Sequence, residues 1–259
     1  MWIMEFWQLL GLNLFSRQII SFVGAGGKTT ALFSLAAELR KQGKAVLVTT
    51  TTAIFVPDRE PTDFLVVNPE LSHQNQKLFM NTPAVTVWGS VKTDEGKLRG
   101  VSLKALSDVV RRGWFDVILI EADGSRQKPV KAPAGYEPAI PDNTHIVVGV
   151  IGLSAVGKPA DPEYIHRLPH FCGITGAEPG EQIEPDHLAA LIMHPQGLFK
   201  GTPVMTERIL LLNQADNLSS RHAAESIVLK VMAGTSKIDR VLITQFDPLI
   251  YSIKWGERK

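Results

Sequence analysis

The chain has 259 residues, 44% of them hydrophobic and 20% charged, and its 27 Lys and Arg almost balance its 26 Asp and Glu. The formal net charge of +1 excludes a global attraction to nucleic acid or anionic lipid, so we expect no nucleic-acid partner. The single cysteine, Cys172, excludes a disulfide within the chain, and no stretch is long and apolar enough for a membrane span. We expect a cytoplasmic protein.

The first half of the sequence alternates predicted strands and helices. Residues 18–23 form an apolar run that ends in glycines, and a helix is expected over 29–41 because its apolar residues recur at helical spacing. This β–loop–α–β opening implies parallel strands and a right-handed crossover. Further predicted strands lie at 44–50, 63–67, 84–88, 115–120 and 145–151, and further helices begin at Asn68 and span 102–111.

The second half has a looser pattern. Residues 125–141 hold four prolines and predict a long ordered loop, which in a compact domain is usually functional. Beyond residue 152 the predicted elements are a helix at 185–193, a strand at 208–212, a helix at 219–232 and a strand at 240–244. We therefore predict an α/β fold in a single domain, 1–259. It has a doubly wound, mostly parallel, P-loop NTPase-like sheet and an irregular inserted segment at 153–205.

A glycine-rich turn between the first strand and the first long helix predicts a phosphate loop. Backbone N–H groups in such a turn point at phosphate oxygens, Lys28 would neutralise phosphate charge, and the Thr29 hydroxyl would ligate Mg²⁺. The spacing is G-x-x-G-K-T, as in Mur-ligase-type ATP enzymes, and is shorter than the usual G-x-x-x-x-G-K-[ST]. The predicted nucleotide-binding residues here are Gly24, Ala25, Gly26, Gly27, Lys28, Thr29 and Thr30.

Two acids follow the apolar strand at 115–120 and predict a metal site. A carboxylate at the carboxyl end of such a strand can hold Mg²⁺ or position the attacking water, and the sequence leaves open whether Glu121 or Asp123 does which. Lys28 and these two acids are the predicted catalytic residues. Thr51 and Thr52 end the second strand, where their hydroxyls are candidate contacts for a phosphate or a substrate.

The segment Asn213-Gln214-Ala215-Asp216 resembles the guanine-reading N-K-x-D motif, with Gln in place of Lys. Asn213 and Asp216 are therefore candidate nucleotide-binding residues, and the choice among ATP, GTP and CTP stays open. The spacing of His166, His170 and Cys172 is weakly typical of zinc ligands, and we expect scattered loop residues instead.

Several segments together resemble the YqeC family of accessory proteins for selenium-dependent molybdenum hydroxylases. They are FVGAGGKTT, VLVTTTT, EADGSRQKPVKAPAGYEPAIP, GVIGLSAVGKP and LLNQAD. The resemblance spans about Val23 to Asp216 and implies a role in hydroxylase maturation, with molybdenum hydroxylases or molybdenum-cofactor enzymes as partners. It also implies that Glu121, Asp123, Gly124, Ser125 and Lys131 belong to the active cleft.

The function expected from these features is Mg²⁺-dependent binding and hydrolysis of ATP or GTP by a maturation factor. One alternative is an ATP-dependent kinase or ligase acting on a small anionic substrate. A second alternative is a non-catalytic, nucleotide-gated carrier or chaperone of a cofactor. Candidate substrate or client contacts, besides the two threonines, are Ser125, Arg126, Lys131 and Arg167.

Overall fold

The computed structural model describes residues 4–56, 61–72, 79, 82–234, 237–246 and 249–253. Its helices are α1 (Phe6–Leu9), α2 (Lys28–Lys41), α3 (Leu103–Arg112), α4 (Leu168–Thr175), α5 (Pro185–Met193) and α6 (Leu218–Ala233). Its strands are β1 (Gln18–Gly24), β2 (Val46–Thr50), β3 (Ala53–Phe55), β4 (Phe64–Val67), β5 (Val85–Gly89), β6 (Lys97–Arg99), β7 (Val117–Glu121), β8 (Val130–Lys131), β9 (Ile146–Gly152), β10 (Ile165–His166), β11 (Glu207–Asn213), β12 (Arg240–Phe246) and β13 (Leu249–Ile253).

The fold is α/β with a mostly parallel sheet, which confirms the predicted class. The chain divides into two compact units, each of which contains main-sheet strands. The first unit comprises residues 1–22, 29–124 and 139–146, and the second comprises 23–28, 125–138 and 147–259. No helix in the described part of the chain is long and apolar enough to cross a membrane.

In the first unit the main-sheet strands run in the order β1-β7-β2-β5-β4, and each neighbouring pair is parallel. Strands β2, β5 and β7 are buried along their whole length, as expected of parallel strands covered on both faces. Glu121 at the end of β7 pairs with Phe22 of β1 and with Thr50 of β2. The carboxyl ends of these three strands therefore meet at one edge of the sheet.

In the second unit the main-sheet strands run in the order β13-β12-β11-β9. Strands β11 and β12 are parallel, whereas β12 and β13 are antiparallel. A separate two-stranded sheet pairs β8 with β10, so that His166 lies opposite Lys131. The segment 153–205, predicted as an insertion, lies between β9 and β11 and contains β10, α4 and α5.

The predicted start of one helix is wrong. Residues 68–70 form a bend where the helix was expected to begin; Phe79 is helical, and residues 73–78, 80 and 81 lie outside the described residues. The Asn68 side chain accepts a hydrogen bond from the Glu70 amide at 3.1 Å, and its carbonyl accepts one from the Trp88 indole at 2.8 Å. These bonds hold a local Asx turn in place of a helix N-cap.

Candidate functional site

The second unit contains the turn that joins β1 to α2. Gly24, Gly26 and Gly27 all have positive φ, at 91°, 83° and 115°. A Cβ at Gly26 would overlap the backbone of Gly152, and one at Gly27 would overlap the Asn213 side chain. Both the left-handed backbone and the close packing therefore require glycine at these two positions.

Part of the predicted set of phosphate-binding amides is engaged within the protein. The Ala25 amide donates to the Val150 carbonyl at 2.9 Å, and the Gly26 amide donates to the Lys128 carbonyl at 3.1 Å. Lys28, Thr29 and Thr30 are the first three residues of α2, where N–H groups have no intrahelical carbonyl partner. The donors best placed for a phosphate are therefore the amides at the start of this helix.

Lys28 lies at this helix start and is 3% exposed. Its ammonium group donates a hydrogen bond of 2.6 Å to the Gly24 carbonyl, so the side chain folds back over the turn. A buried ammonium attracts an approaching anion strongly, because the protein interior screens charges less than water does.

In the first unit the next residue, Thr29, is joined to one of the predicted acids. Its hydroxyl donates to a carboxylate oxygen of Glu121 at 2.8 Å. Glu121 and Asp123 are buried, with 6% and 2% of their surface exposed. Hydroxyl and carboxylate oxygens are the ligand types that Mg²⁺ takes, so this pair fits the chemistry of a magnesium site. Glu121 is therefore the predicted acid that accepts a hydrogen bond from Thr29.

The threonines at the end of β2 are bonded within the first unit. The Thr51 hydroxyl donates to the Ala139 carbonyl at 3.1 Å, and the Thr50 hydroxyl donates to the Glu121 carbonyl at 2.8 Å. The Thr52 hydroxyl lies 3.3 Å from that of Thr50. These bonds hold the turn after β2. The hydroxyls of Thr51 and Thr52, which the sequence predicts as candidate phosphate or substrate contacts, therefore have partners within the protein.

The residues of the predicted base-reading segment differ in their environment. Asn213 is 4% exposed; its side-chain NH₂ donates to the Gly26 carbonyl at 2.8 Å, and its side-chain oxygen accepts from the Thr244 hydroxyl at 3.0 Å. Gln214 has a positive φ of 64° and accepts a hydrogen bond of 2.6 Å from Ser154. Asp216 is exposed. Asn213 therefore braces the glycine turn, and Asp216 is accessible to a ligand.

A cluster of three charged side chains and one tyrosine, hereafter the Glu137 cluster, lies in the second unit and consists of Lys131, Glu137, Arg167 and Tyr136. The Lys131 ammonium and the Arg167 guanidinium each lie 2.9 Å from the same Glu137 oxygen. Burial raises the pKa of Glu137, but the hydrogen bonds from Lys131 and Arg167 outweigh it, and the net effect is a lowered pKa. Arg167 also donates to the Tyr136 hydroxyl at 3.2 Å.

Lys131 and Arg167 were predicted from the sequence, whereas Glu137 and Tyr136 were not. The available signal was a single carboxylate at position 137 of a segment whose charged residues are otherwise basic. Ser125 and Arg126 belong to the same segment, and Arg126 is exposed with a positive φ of 52°. In the part of the chain that the structure describes, no three His, Cys, Asp or Glu side chains gather as a metal-ion site, so the His166, His170 and Cys172 spacing forms none there.

His166, opposite Lys131, is affected by these charges. Burial lowers its pKa most, followed by the positive charges of Arg167, Lys131 and Arg126, and the resulting pKa is about 4. The imidazole is therefore neutral at physiological pH, and it adds no positive charge to the cluster.

Comparison with known proteins places this site within a family. The sequence model described as "YqeC protein" matches residues 20–169, which include the glycine turn, both acids and the Glu137 cluster. A relative in Escherichia coli (strain K12), named "Uncharacterized protein YqeC", is 40% identical over 197 residues, covering 76% of this chain and 75% of the relative. The structure of chloroplast FtsY from Physcomitrella patens matches 88% of this chain at 16% identity and a TM-score of 0.29, and the chain spans 50% of that protein.

Proposed function

We propose that this chain, which belongs to the YqeC family, binds a nucleoside triphosphate with Mg²⁺ and hydrolyses it as a maturation factor. The observation that carries the proposal is the buried Lys28 at the start of α2, folded over a turn of positive-φ glycines. Turns of this kind aim a lysine and helix N–H groups at the same anion. The position of Lys28 therefore supports a site for the β- and γ-phosphates.

The adjoining Thr29 supports a metal role. Its hydroxyl and the Glu121 carboxylate bond to each other, and Mg²⁺ would take both oxygens as ligands, directly or through water. Magnesium supplies charge neutralisation on the transferred phosphoryl group. The roles of this chain's own residues would be to hold the phosphates and to orient a water molecule, with Asp123 as the candidate for the latter.

The proposal is tested by calorimetric titration of ATP, GTP and CTP, with and without Mg²⁺, into the wild-type protein and the Lys28→Ala variant. We expect magnesium-dependent binding by the wild type and a loss of affinity of at least about 10-fold in the variant, because a charge-assisted hydrogen bond is removed. Lys41→Ala is the matched control, since Lys41 is an exposed residue at the opposite end of the same helix. Equal affinity of wild type and Lys28→Ala would refute the phosphate-loop proposal.

A second candidate function is that of an ATP-dependent kinase or ligase with a small anionic substrate. The observation in its favour is the Glu137 cluster, in which two cations share one carboxylate. A kinase or ligase forms ADP or AMP only when its second substrate is present, whereas an NTPase turns over alone. Product formation with and without candidate anions therefore separates the two functions.

The biological part of the proposal is a role in maturing selenium-dependent molybdenum hydroxylases. Its support is the resemblance of the phosphate turn and of the 121–141 segment to that accessory family. We expect cells that lack this protein to make the hydroxylase polypeptide at normal levels but with lower specific activity. Restoration by the wild-type gene but not by the Lys28→Ala gene would link that role to the nucleotide site, and normal hydroxylase activity without the protein would refute it.

A further inference from the structure

The Glu137 cluster carries more positive than negative charge in a largely buried setting. The Lys131 side chain is fully buried, that of Glu137 is 8% exposed and that of Arg167 is 23% exposed. Both cations meet the same Glu137 oxygen, so one carboxylate serves two positive charges. Buried charges in proteins are normally balanced by a partner of opposite sign. Since Lys131 already neutralises Glu137, the charge of Arg167 remains available to a second anion.

A third positive charge acts in the same neighbourhood. Arg126 is exposed, and its charge lowers the pKa of His166 together with those of Arg167 and Lys131. His166 itself is neutral at physiological pH. The Nε atom of Arg167 is buried and makes no hydrogen bond within the described residues, so the guanidinium retains unused donor capacity.

Tyr136 adds an aromatic surface beside the surplus charge. Tyr136 is 77% exposed, and its ring centroid lies 5.5 Å from the guanidinium carbon of Arg167. The loop that carries it is anchored, because the Lys200 ammonium donates to the carbonyls of Ala134 and Gly135 at 2.7 and 2.9 Å. An exposed aromatic ring held rigidly next to a guanidinium is suited to stacking a planar ligand.

We propose that the Glu137 cluster binds a small molecule in which an aromatic ring carries a phosphate monoester. Arg167, which shares the Glu137 carboxylate with Lys131, pairs with the phosphate, and Tyr136 stacks on the ring. A planar guanidinium fork matches the geometry of phosphate oxygens. This inference deepens the proposed function by naming the class of its second ligand, and it is tested in the absence of nucleotide.

The test uses phenyl phosphate, inorganic phosphate and phenol as probes, titrated by calorimetry into the full-length protein. We expect phenyl phosphate to bind, inorganic phosphate to bind more weakly and phenol not to bind measurably. Arg167→Gln should weaken phenyl phosphate binding by at least about 10-fold, as expected for loss of a charge-assisted hydrogen bond. Lys230→Gln is the matched control, because it also removes one positive charge. Lys230 on α6 forms an exposed pair with Asp186 of α5, so this variant should bind phenyl phosphate as the wild type does.

Tyr136→Ala separates the stacking role from the charge. This variant should bind phenyl phosphate several-fold more weakly and inorganic phosphate as tightly as the wild type, because only the ring is lost. Because Tyr136 is exposed, its replacement by alanine should not disturb folding, and circular dichroism checks the fold of each variant. Unchanged phenyl phosphate affinity in Arg167→Gln would overturn the proposal.

Lys28→Ala distinguishes this site from the phosphate loop. We expect it to bind phenyl phosphate as the wild type does. Loss of phenyl phosphate binding in Lys28→Ala, with retention in Arg167→Gln, would place the anion on the phosphate loop and overturn the inference while supporting the nucleotide site. Conversely, Arg167-dependent binding of phenyl phosphate by a protein that binds no nucleoside triphosphate would uphold the inference and refute the proposed function.

Discussion

Asn213 provides a quantitative test of what holds the glycine turn. Its buried amide connects the Gly26 carbonyl to the Thr244 hydroxyl through hydrogen bonds of 2.8 and 3.0 Å. Replacement with alanine leaves both of these buried groups without their partner. Each stranded buried polar group costs about 1–3 kcal/mol, so Asn213→Ala should lower the free energy of unfolding by about 2–6 kcal/mol.

Thr244→Val isolates one of these two bonds, because valine keeps the shape of threonine and lacks the hydroxyl. It should lower the free energy of unfolding by about 1–3 kcal/mol, since the Asn213 side-chain oxygen alone loses its donor. The double variant should be destabilised by less than the sum, because Asn213→Ala has already stranded the hydroxyl that Thr244→Val removes. The coupling free energy should be roughly 1 kcal/mol.

The assay is urea denaturation followed by circular dichroism, with free energies compared at unchanged dependence on urea concentration. Asn143→Ala is a control at an exposed turn position and should stay within about 0.5 kcal/mol of the wild type. A change within about 0.5 kcal/mol for Asn213→Ala as well would refute the bracing role.

Nucleotide titration distinguishes bracing from base recognition. A loosened turn should weaken the binding of ATP, GTP and inorganic triphosphate to a similar degree, because all three present the same phosphates to the turn. If Asn213 recognised the base instead, its replacement would weaken the binding of one nucleotide and leave the binding of inorganic triphosphate unaffected. A loss confined to GTP in Asn213→Ala would therefore contradict the interpretation drawn from its hydrogen bonds.

Three further substitutions test separate features. Thr29→Val should abolish the gain in triphosphate affinity on adding Mg²⁺ and leave magnesium-free binding unchanged, as measured by calorimetry, because it removes a metal-ligating hydroxyl; a retained magnesium effect would exclude that role. Asp216→Ala should reduce GTP affinity by at least about 10-fold relative to ATP if its exposed carboxylate reads guanine, and parallel losses would oppose this. His166 has a pKa of about 4 in the folded protein, against 6.5 for an ordinary histidine, so the unfolded chain binds more protons between these two values and stability falls as the pH drops through that window. His166→Gln should therefore lose less stability over this pH range in urea denaturation. Identical pH profiles of wild type and variant would contradict the shift.

Local sequence pattern predicted the central elements well. The predicted helix at 185–193 has the bounds of α5, where Pro185 stands at the first helical position and an acid, Asp186, lies in the first turn. The predicted strand at 115–120 appears as β7, and the predicted turn from β1 into α2 is in place. These elements were predictable because apolar periodicity and helix-end residues act over a few neighbouring residues.

The elements that the pattern missed depend on partners distant in sequence. β3 and β6 have three residues each and exist as strands because Ala53 pairs with Arg99 and Phe55 with Lys97. β13 pairs antiparallel with β12 at the end of the strand order. Short strands of this kind have little periodicity of their own, and their pairing is set by the tertiary fold.

The same reasoning applies to the candidate site. The positions of Lys28 and Thr29 at the start of α2 and of Glu121 at the end of β7 were predictable, because a glycine-lysine-threonine turn and an acid after a buried strand are local signals. The position of Glu137 between Lys131 and Arg167 was not, since it depends on the pairing of β8 with β10, whose residues lie 35 apart at His166 and Lys131.

Packing within the protein itself requires glycine in the turn between β1 and α2. Phosphate binding alone would explain why the turn is rich in glycine, but the structure also requires Gly26 for its contact with Gly152 and Gly27 for its contact with Asn213. The amides of Ala25 and Gly26 donate to carbonyls of Val150 and Lys128 in the same unit. The turn is therefore shaped by the protein before any anion arrives, which lowers the entropic cost of ordering it on binding. Under the proposed function, the interaction of Lys28 with phosphate would then contribute to affinity instead of to folding the loop.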